Sequence, residues 1–408
     1  MQQKASIIFV FITVLLDVVG IGIIIPVTPT LVTHFVGGDL SEGARYFGLL
    51  VSMFTLMQFL CAPMLGALSD HFGRKPILLL ALFVTSLSYL LTAFAPSLAW
   101  LFVARLIAGA AGGSLTVATT VIADISAPEN RAANFGLLGA AFGLGFIVGP
   151  AIGGLLGGWG PSVPFLAAGG VAFLNLVYGL VAVPETHELA NRRRFTADKA
   201  NPIGGLLALR KYPIVMRVAV TLFFMSMAQM GLQTTWVLSN TYRFQWTPGQ
   251  NGLSLAVAGV CSALVQGGLI RAAMPRLGER RAILGGLAIN VVAFTLFGLA
   301  GQGWMMYAIL AFGSLGGLAM PAAQAIVSKA IPADEQGRMQ GALTSLQSLT
   351  GIIAPLIAAW LFAACTAPGL ATPIPGIAFF LGAALQLIAL VYAARVVFAR
   401  VSAGGLAT

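Results

Sequence analysis

The chain has 408 residues, of which 58% are hydrophobic and only 8% are charged. A soluble domain carries about 25% charged residues, so this composition excludes a soluble globular protein and places the chain in a lipid bilayer. The net charge of +10 comes from basic residues beside apolar segments. That placement indicates membrane topology, and we expect no nucleic-acid partner.

Apolar segments long enough to cross a bilayer recur along the whole chain. A crossing helix needs about 20 apolar residues, and the sequence predicts twelve such helices, at 6–32, 45–69, 76–95, 98–122, 134–157, 163–184, 213–238, 249–272, 281–301, 304–329, 338–364 and 376–398. Nineteen of the 22 Lys and Arg residues then lie on the side of the N-terminus, which places both termini in the cytoplasm. The first segment lacks a clear cleavage site, so we expect it to remain in the mature protein. The predicted fold class is an all-α integral membrane protein.

The chain divides into two similar halves. One long polar stretch falls in the middle, so we predict a six-helix half at 1–184, a cytoplasmic linker at 185–212 and a second six-helix half at 213–408. Gly73, after the second helix, is echoed by Gly278, and Gly136 is echoed by Gly341, each 205 residues further on. Two parallel six-helix repeats hold a transporter's site near the membrane midplane between them.

Asp17 in helix one and Arg105 in helix four are the only charged residues that fall deep within predicted helices. A charge at that depth costs about 2.5–3.5 kcal/mol on insertion scales, and such residues usually serve a function. Because burial favours the neutral form of a carboxyl group, Asp17 is a candidate for taking up and releasing a proton. Arg105 is a candidate for the same proton or substrate handling. A direct ion pair between the two is the structural alternative.

The loop between helices two and three carries the most specific motif, GALSDHFGRKP at 66–76. We expect Gly66 to permit close helix approach and Gly73 to reverse the chain, while Arg74 and Lys75 keep the loop in the cytoplasm. Asp70, at a helix C-terminus, needs a cationic partner or the N-terminus of another helix, and such a pairing would break as the halves move. A solvated turn is the alternative.

Helix five carries a stripe of small residues. Gly145, Gly149 and Gly153 are spaced by four, and Pro150 frees a carbonyl and bends the helix. This pattern suits a helix interface that moves during transport. Ordinary tight packing is the alternative for the glycines taken alone.

Polar uncharged residues fall on shared faces of several helices and are candidates for a wet substrate cavity. They include Gln58 in helix two, Ser88 in helix three, Gln233 in helix seven and Gln266 in helix eight. Amides and hydroxyls suit a polyfunctional, drug-like ligand. Hydrogen bonding between helices is the alternative use of such residues.

The loop motif resembles the signature of major facilitator transporters, and helix five narrows the family. Gly136, Gly145, Gly149-Pro150 and Gly153-Gly154 reproduce the antiporter pattern G-x8-G-x3-GP-x2-GG. The chain resembles the tetracycline/proton antiporters over nearly its whole length. The resemblance implies that Asp70, Arg74 and Asp124 form a cytoplasmic charge network of the conformational switch.

Two departures from these antiporters concern the substrate. The resemblance implies that Gln58 and Gln266 contact drug, but Ser88 and Asn290 stand where the similar antiporters carry Asp. Tetracycline travels in that family as a cationic magnesium chelate, so the loss of two acids weakens the case for that substrate. The turn motif of the second half is also degenerate, with Arg271 and Pro275 in place of Gly and Asp, which argues against a symmetric switch.

The sequence therefore predicts a proton-coupled efflux antiporter of the bacterial inner membrane, with a tetracycline-type antibiotic as the first candidate substrate. Export of other drugs, and proton-coupled uptake by the same fold, are the alternatives. We expect no enzyme activity and no cofactor beyond the proton gradient and magnesium carried with the substrate. The sequence contains no Gly-Lys dipeptide and hence no ATP-binding loop. Drug, protons and lipid are the expected partners of a monomer, and the three cysteines are expected to be free.

Overall fold

The structure is a computed structural model that describes residues 2–126, 130–183, 185, 209–332 and 335–398. No β-strand occurs among these residues. A backbone in lipid has no water to bond to, so an apolar segment satisfies its N–H and C=O groups internally as a helix. The greater part of the predicted linker, 186–208, lies outside the described residues.

Eight helices are described before the linker. Their bounds are α1 Gln2–Ile24, α2 Thr28–Phe35, α3 Leu40–Phe72, α4 Arg74–Ala93, α5 Leu98–Ala111, α6 Ser114–Ile125, α7 Arg131–Gly157 and α8 Val163–Ala182. Predicted helix one corresponds to α1 and the short α2. Predicted helix four is divided into α5 and α6 by a turn at Gly112 and Gly113.

Seven α-helices are described after the linker. Their bounds are α9 Pro213–Phe244, α10 Pro248–Leu264, α11 Ile270–Leu299, α12 Gly303–Ser314, α13 Ala319–Lys329, α14 Gln336–Cys365 and α15 Ile377–Tyr392. A π-helical turn, Val265–Leu269, joins α10 to α11, and a 3₁₀ turn, Leu315–Leu318, joins α12 to α13. Irregular turns of both kinds inside a helix often mark functional positions.

The number of membrane crossings follows from helix length. Among the described residues, eleven helical stretches are long and apolar enough to cross a bilayer, and one of these, Pro248–Leu299, has 52 residues. A straight helix of that length would measure about 78 Å at about 1.5 Å per residue, more than twice the hydrocarbon thickness. Gly278 interrupts it with φ 68° and ψ 167°. The stretch therefore makes two crossings, in agreement with the twelve predicted helices.

The outer faces of the helices are apolar. Leu155, Trp159 and Val181 expose 73%, 79% and 85% of their surface, and many other large apolar side chains are also exposed. A soluble monomer rarely exposes contiguous apolar surface on this scale, whereas lipid solvates it at no cost. The prediction of an all-α integral membrane protein is confirmed.

The chain forms two compact units. The first takes its described residues from Met1–Asp39, Met53–Asn201 and Trp246–Gly259, and the second from Leu40–Ser52, Pro202–Gln245 and Val260–Thr408. The start of α3 is thus grouped with the second unit and the start of α10 with the first. The division at 1–184 and 213–408 follows chain order instead, and it stays a prediction.

Each unit has its own apolar core. In the first, α1 packs against α7 and α8, and α4 packs against α5 and α8, around buried residues such as Val14, Leu82 and Ile122. In the second, α9 packs against α14 and α15, and α11 against α13 and α15, around residues such as Leu222 and Leu287.

Candidate functional site

The turn between α3 and α4 holds a charge network around one buried cation, which we define as Ser69, Asp70, Arg74 and Asp124. The Arg74 guanidinium donates to Asp70 Oδ1 at 2.5 Å and to Asp124 Oδ2 at 3.1 Å. It also donates to Ser69 Oγ at 2.7 Å. The Arg74 side chain is only 6% exposed, so one buried cation joins the end of α3 to the end of α6. Asp70 has the cationic partner that its place at a helix C-terminus requires.

The glycines of this turn differ in their roles. Gly73 has φ 107°, a conformation that side chains rarely adopt, so the predicted chain reversal at Gly73 is confirmed. The reason predicted for Gly66 is wrong, because no described atom outside its own helical turn lies within 4 Å of where a Cβ at Gly66 would be. Gly66 instead accepts a hydrogen bond from Ser69 Oγ at its carbonyl, at 2.8 Å.

Glu185 closes the same turn from the end of α8. Its carboxylate accepts the backbone N–H groups of Arg74 at 3.0 Å and Lys75 at 3.3 Å. These are donors of the first turn of α4 that have no partner within the helix, and a negative charge there is favoured by the helix dipole. Lys75 Nζ in turn donates to the carbonyl of Leu180 at 2.8 Å. The sequence prediction assigned Glu185 to the linker and missed this capping role.

The second half has an ion pair at the corresponding positions, with the charges exchanged. Glu279 and Lys329 lie 205 residues after Arg74 and Asp124, and they form a salt bridge between the turn at Gly278 and the end of α13. This pairing holds the pKa of Glu279 below its ordinary value. The degenerate turn motif argued against a symmetric switch, and that argument stays a prediction. The second half keeps an ion pair at the positions of Arg74 and Asp124 with the charges exchanged, but Pro275 stands at the position that corresponds to Asp70.

Asp17 lies on α1 opposite the break in predicted helix four. Its Oδ2 accepts a hydrogen bond from Ser114 Oγ at 2.7 Å, and Ser114 is the first residue of α6. On the other side of the break, Gln58 Nε2 donates to the carbonyl of Gly112 at 2.9 Å. The interrupted backbone therefore has one polar side chain on each side. Sequence reasoning selected Asp17 and Gln58 but did not include Ser114.

Arg105 forms no ion pair with Asp17 in the described part of the chain, so the alternative of a direct pair is wrong for this structure. The Arg105 guanidinium lies 6.0 Å from the centre of the Phe165 ring, and one of its terminal nitrogens is buried with no hydrogen-bond partner among the described residues. Tyr89 lies within electrostatic range of both Asp17 and Arg105. A buried guanidinium nitrogen without a partner is a donor available to a ligand.

The glycine stripe of α7 packs directly against α1. A Cβ at Gly145 would lie 2.6 Å from Val18 Cγ1, and one at Gly149 would lie 2.6 Å from Gly22 Cα. A Cβ at Gly153 would overlap the carbonyl oxygen of Ile23, and Pro150 lies within the same continuous helix. The predicted close packing is observed, and only glycine permits it. The antiport role of the stripe stays a prediction.

The residues predicted to bind substrate are in different surroundings. Ser88 is 2% exposed, and its hydroxyl donates to the carbonyl of Thr85 in its own helix at 2.8 Å. Gln233 on α9 is exposed, as is Gln266 in the π-helical turn. Asn290 on α11 is half-buried, and its carboxamide lies against Gly316. Nothing in the structure tests binding at these positions, so their role stays a prediction.

Charged residues inside membrane helices, and helices broken at their midpoint, are typical of membrane transporters. The sequence matches the Major Facilitator Superfamily over residues 10–355 and 235–406. The chain belongs to that superfamily, as its motifs predicted.

Curated relatives cover nearly the whole chain. It is 40% identical over 390 residues to the class C tetracycline resistance protein of Escherichia coli, covering 96% of both chains. It is 37% identical to the class B protein of Escherichia coli, over 85% of this chain and 86% of the relative. The class G protein of Vibrio anguillarum is also 37% identical, over 87% and 89% of the two chains. The chain belongs to the family of these proteins.

Solved structures agree on the fold. The crystal structure of the human organic anion transporter MFSD10 has a TM-score of 0.70 and 25% identity, covering 96% of this chain and 99% of that one. The nucleoside transporter NupG, as its D323A mutant, has a TM-score of 0.77 and covers 96% of this chain and 100% of that one. At 15% identity, the second likeness shows the fold alone.

Proposed function

We propose that this chain is a secondary active antiporter of the bacterial inner membrane that exports tetracycline-type compounds in exchange for protons. The observation that carries the proposal is the 40% identity to a tetracycline resistance protein over 96% of both chains. The similarity runs over nearly the whole chain and is not confined to one motif. The distribution of Lys and Arg supports cytoplasmic termini, and the proposed unit of transport is a monomer.

Asp17 is proposed as the proton carrier. It is half-buried on a membrane helix, and its single strong hydrogen bond comes from a neutral hydroxyl rather than from a cation. A carboxyl group held this way can exist in both protonation states, whereas a tight ion pair would favour the charged state alone. Arg105, with its buried free donor, is proposed to assist by binding an anionic oxygen of the drug or by raising the local potential.

The charge network is proposed as the conformational switch. Arg74 joins the ends of two helices through two carboxylates, so a change in the spacing of those helices must break at least one buried ion pair. Such an arrangement has discrete made and broken states. The glycine stripe is proposed as the surface along which α1 and α7 slide or rock.

Gln58, Ser88, Gln233, Gln266 and Asn290 are proposed as substrate-binding residues. The resemblance implies that Ser88 and Asn290 stand where the similar antiporters carry acids, and this favours a second candidate, export of a drug that does not travel as a cationic magnesium chelate. The two candidates differ in their need for magnesium carried with the substrate.

The test is transport in everted membrane vesicles that have built a proton gradient. Tetracycline and other drugs are added singly, with and without Mg²⁺, and both gradient dissipation and drug uptake are measured. We expect tetracycline to dissipate the gradient through the wild-type protein and not through Asp17→Asn. A wild-type protein that moves no drug at the expense of the gradient, or an Asp17→Asn variant with unchanged coupling, would contradict the proposal. Dependence on Mg²⁺ decides between the two substrate candidates.

A further inference from the structure

The break in predicted helix four is a local interruption of the helical hydrogen-bond ladder. The N–H of Gly112 donates to the carbonyl of Gly109 at 3.1 Å, and that of Gly113 donates to the carbonyl of Ala111 at 2.7 Å. Neither N–H reaches the carbonyl four residues earlier, so backbone groups are released at this point. A Cβ at Gly113 would lie 2.5 Å from Leu65 Cδ1, so α3 and the broken helix approach closely here.

Both polar partners of the break come from neighbouring helices. Gln58 on α3 satisfies the carbonyl of Gly112, which ends the first segment. Ser114, which starts the second segment, donates a hydrogen bond from its hydroxyl to Asp17 of α1 and is only 6% exposed. The Asp17 carboxylate is therefore attached to the segment of helix four that ends at Asp124, a member of the charge network.

The second half has a similar break without an acid. Gly316 and Gly317 lie 204 residues after Gly112 and Gly113, within the 3₁₀ turn that joins α12 to α13. There the neighbouring polar side chain is the neutral carboxamide of Asn290. A Cβ at Gly316 would overlap the Oδ1 atom of this carboxamide. Glycine-interrupted helices at corresponding positions of two repeats point to the functional site of a transporter. The acidic partner is present only in the first half.

Few charged or titratable groups compete with Ser114 for Asp17. The helices packed on α1 are α6, α7 and α8, and their described side chains include only Asp124 at the far end of α6 and Tyr178 on α8. From α4, Tyr89 borders Gly20, one turn after Asp17. Arg105 on α5 is the remaining charged group near Asp17, and it interacts electrostatically with Tyr89.

We propose that Ser114 is a positioning residue that fixes the Asp17 carboxylate by donating to its charged form. The inference rests on the proposed function, because it assumes that Asp17 carries the proton. When Asp17 binds a proton, its carboxylate becomes a neutral carboxyl and no covalent bond of the protein changes. A hydroxyl donates more strongly to a charged oxygen than to a neutral one. Protonation therefore loosens the connection between α1 and α6, and the state of the proton site is transmitted to the charge network.

The experiment is an infrared titration of purified protein, in which the carboxyl band of Asp17 is isolated by subtracting the spectrum of Asp17→Asn. Ser114→Ala removes the donor that favours the charged form, so we expect the midpoint of the Asp17 band to rise by about one to two pH units. Ser114→Thr keeps a hydroxyl and should return the midpoint toward that of the wild type. Thr120→Ala is the matched control, because this hydroxyl of the same helix donates only to its own backbone, at the carbonyl of Thr116.

A midpoint that Ser114→Ala leaves unchanged would overturn the inference, as would an equal rise in Thr120→Ala. Drug exchange in proteoliposomes at equal pH on both sides gives an independent readout, and its pH profile should move in the same direction. The proposed function fails separately, if Asp17→Asn keeps proton-driven transport in vesicles. If Ser114→Ala leaves the midpoint of the Asp17 band unchanged while Asp17→Asn abolishes proton-driven transport, the proposed function stands and only the role of Ser114 is removed.

Discussion

Removal of the Arg74 guanidinium is the perturbation whose effect follows most directly from the structure. Arg74→Leu keeps an apolar side chain but leaves Asp70, Asp124 and the Ser69 hydroxyl without their shared donor. Loss of one partner from a fully buried ion pair costs about 3–5 kcal/mol. Asp70 and Asp124 are 37% and 29% exposed, so water would solvate part of each charge. We therefore expect a loss of about 2–3 kcal/mol in the free energy of unfolding.

The geometry also predicts the effect of a conservative change. Arg74 donates through Nε to one carboxylate and through a terminal nitrogen to the other, a fork that a lysine ammonium cannot reproduce. Arg74→Lys keeps the charge and should lose about half as much stability as Arg74→Leu. Transport should fall in both variants, because the connection between the two helix ends is weakened, while drug binding should remain.

Thermal unfolding in detergent measures these differences. Cys61, Cys261 and Cys365 are free and half-buried, so a thiol-reactive dye reports their exposure as the protein unfolds. Arg271→Leu is the matched control, because Arg271 is exposed and makes no ion pair within the described ranges. Equal unfolding temperatures for Arg74→Leu and Arg271→Leu would refute the assignment of a buried charge network.

Three further predictions concern helix packing and the second half. Gly149→Ala should destabilise the protein by about 1–3 kcal/mol, because its Cβ would lie 2.6 Å from Gly22 Cα. Gly139→Ala is the control and should not destabilise it, because a Cβ there meets no described atom within 4 Å. Equal shifts in unfolding temperature for the two variants would contradict this prediction. Exchange of Glu279 and Lys329 in a double variant should restore the transport rate that either single charge reversal reduces. Their side chains are 31% and 72% exposed, so the pair contributes under about 1 kcal/mol. The pKa of Glu279 is lowered in the folded protein. The stabilisation by this pair is therefore present above the ordinary glutamate pKa and is lost as the pH falls through the lowered value. The free energies of unfolding of Glu279→Gln and the wild type should become equal at acidic pH.

Residue type and spacing were sufficient to predict the helices and the glycine stripe. A crossing helix must be about 20 apolar residues long, and glycines spaced by four lie on one helical face, so both properties are local in the chain. The positive φ of Gly73 follows equally from its place between two apolar segments. In each case the physical cause lies within one or two helical turns of the residue concerned.

The partners of the charged residues could not be predicted in the same way. Glu185 is 111 residues from Arg74, and Ser114 is 97 residues from Asp17, so each pairing depends on how whole helices pack. Ser114 did have a local signal, because it follows two glycines in the middle of an apolar segment. The ion pair of the second half has no signal in the repeated motif, because Glu279 and Lys329 carry the reverse of the charges at Arg74 and Asp124.

The two halves share a backbone frame but differ in chemistry. Gly73 and Gly278 both have positive φ at the turn after the second helix of each half, and each turn is tied by an ion pair to the end of the fourth helix. The cation of the first half, Arg74, is 6% exposed and is shared between two carboxylates, whereas the cation of the second half, Lys329, is 72% exposed and has one. A buried pair costs far more to break than an exposed one. The first half therefore carries both Asp17, the acid that takes up the proton in the proposed mechanism, and the Arg74 ion pairs, which are costly to break. In that mechanism, protonation and conformational change are coupled within the first half.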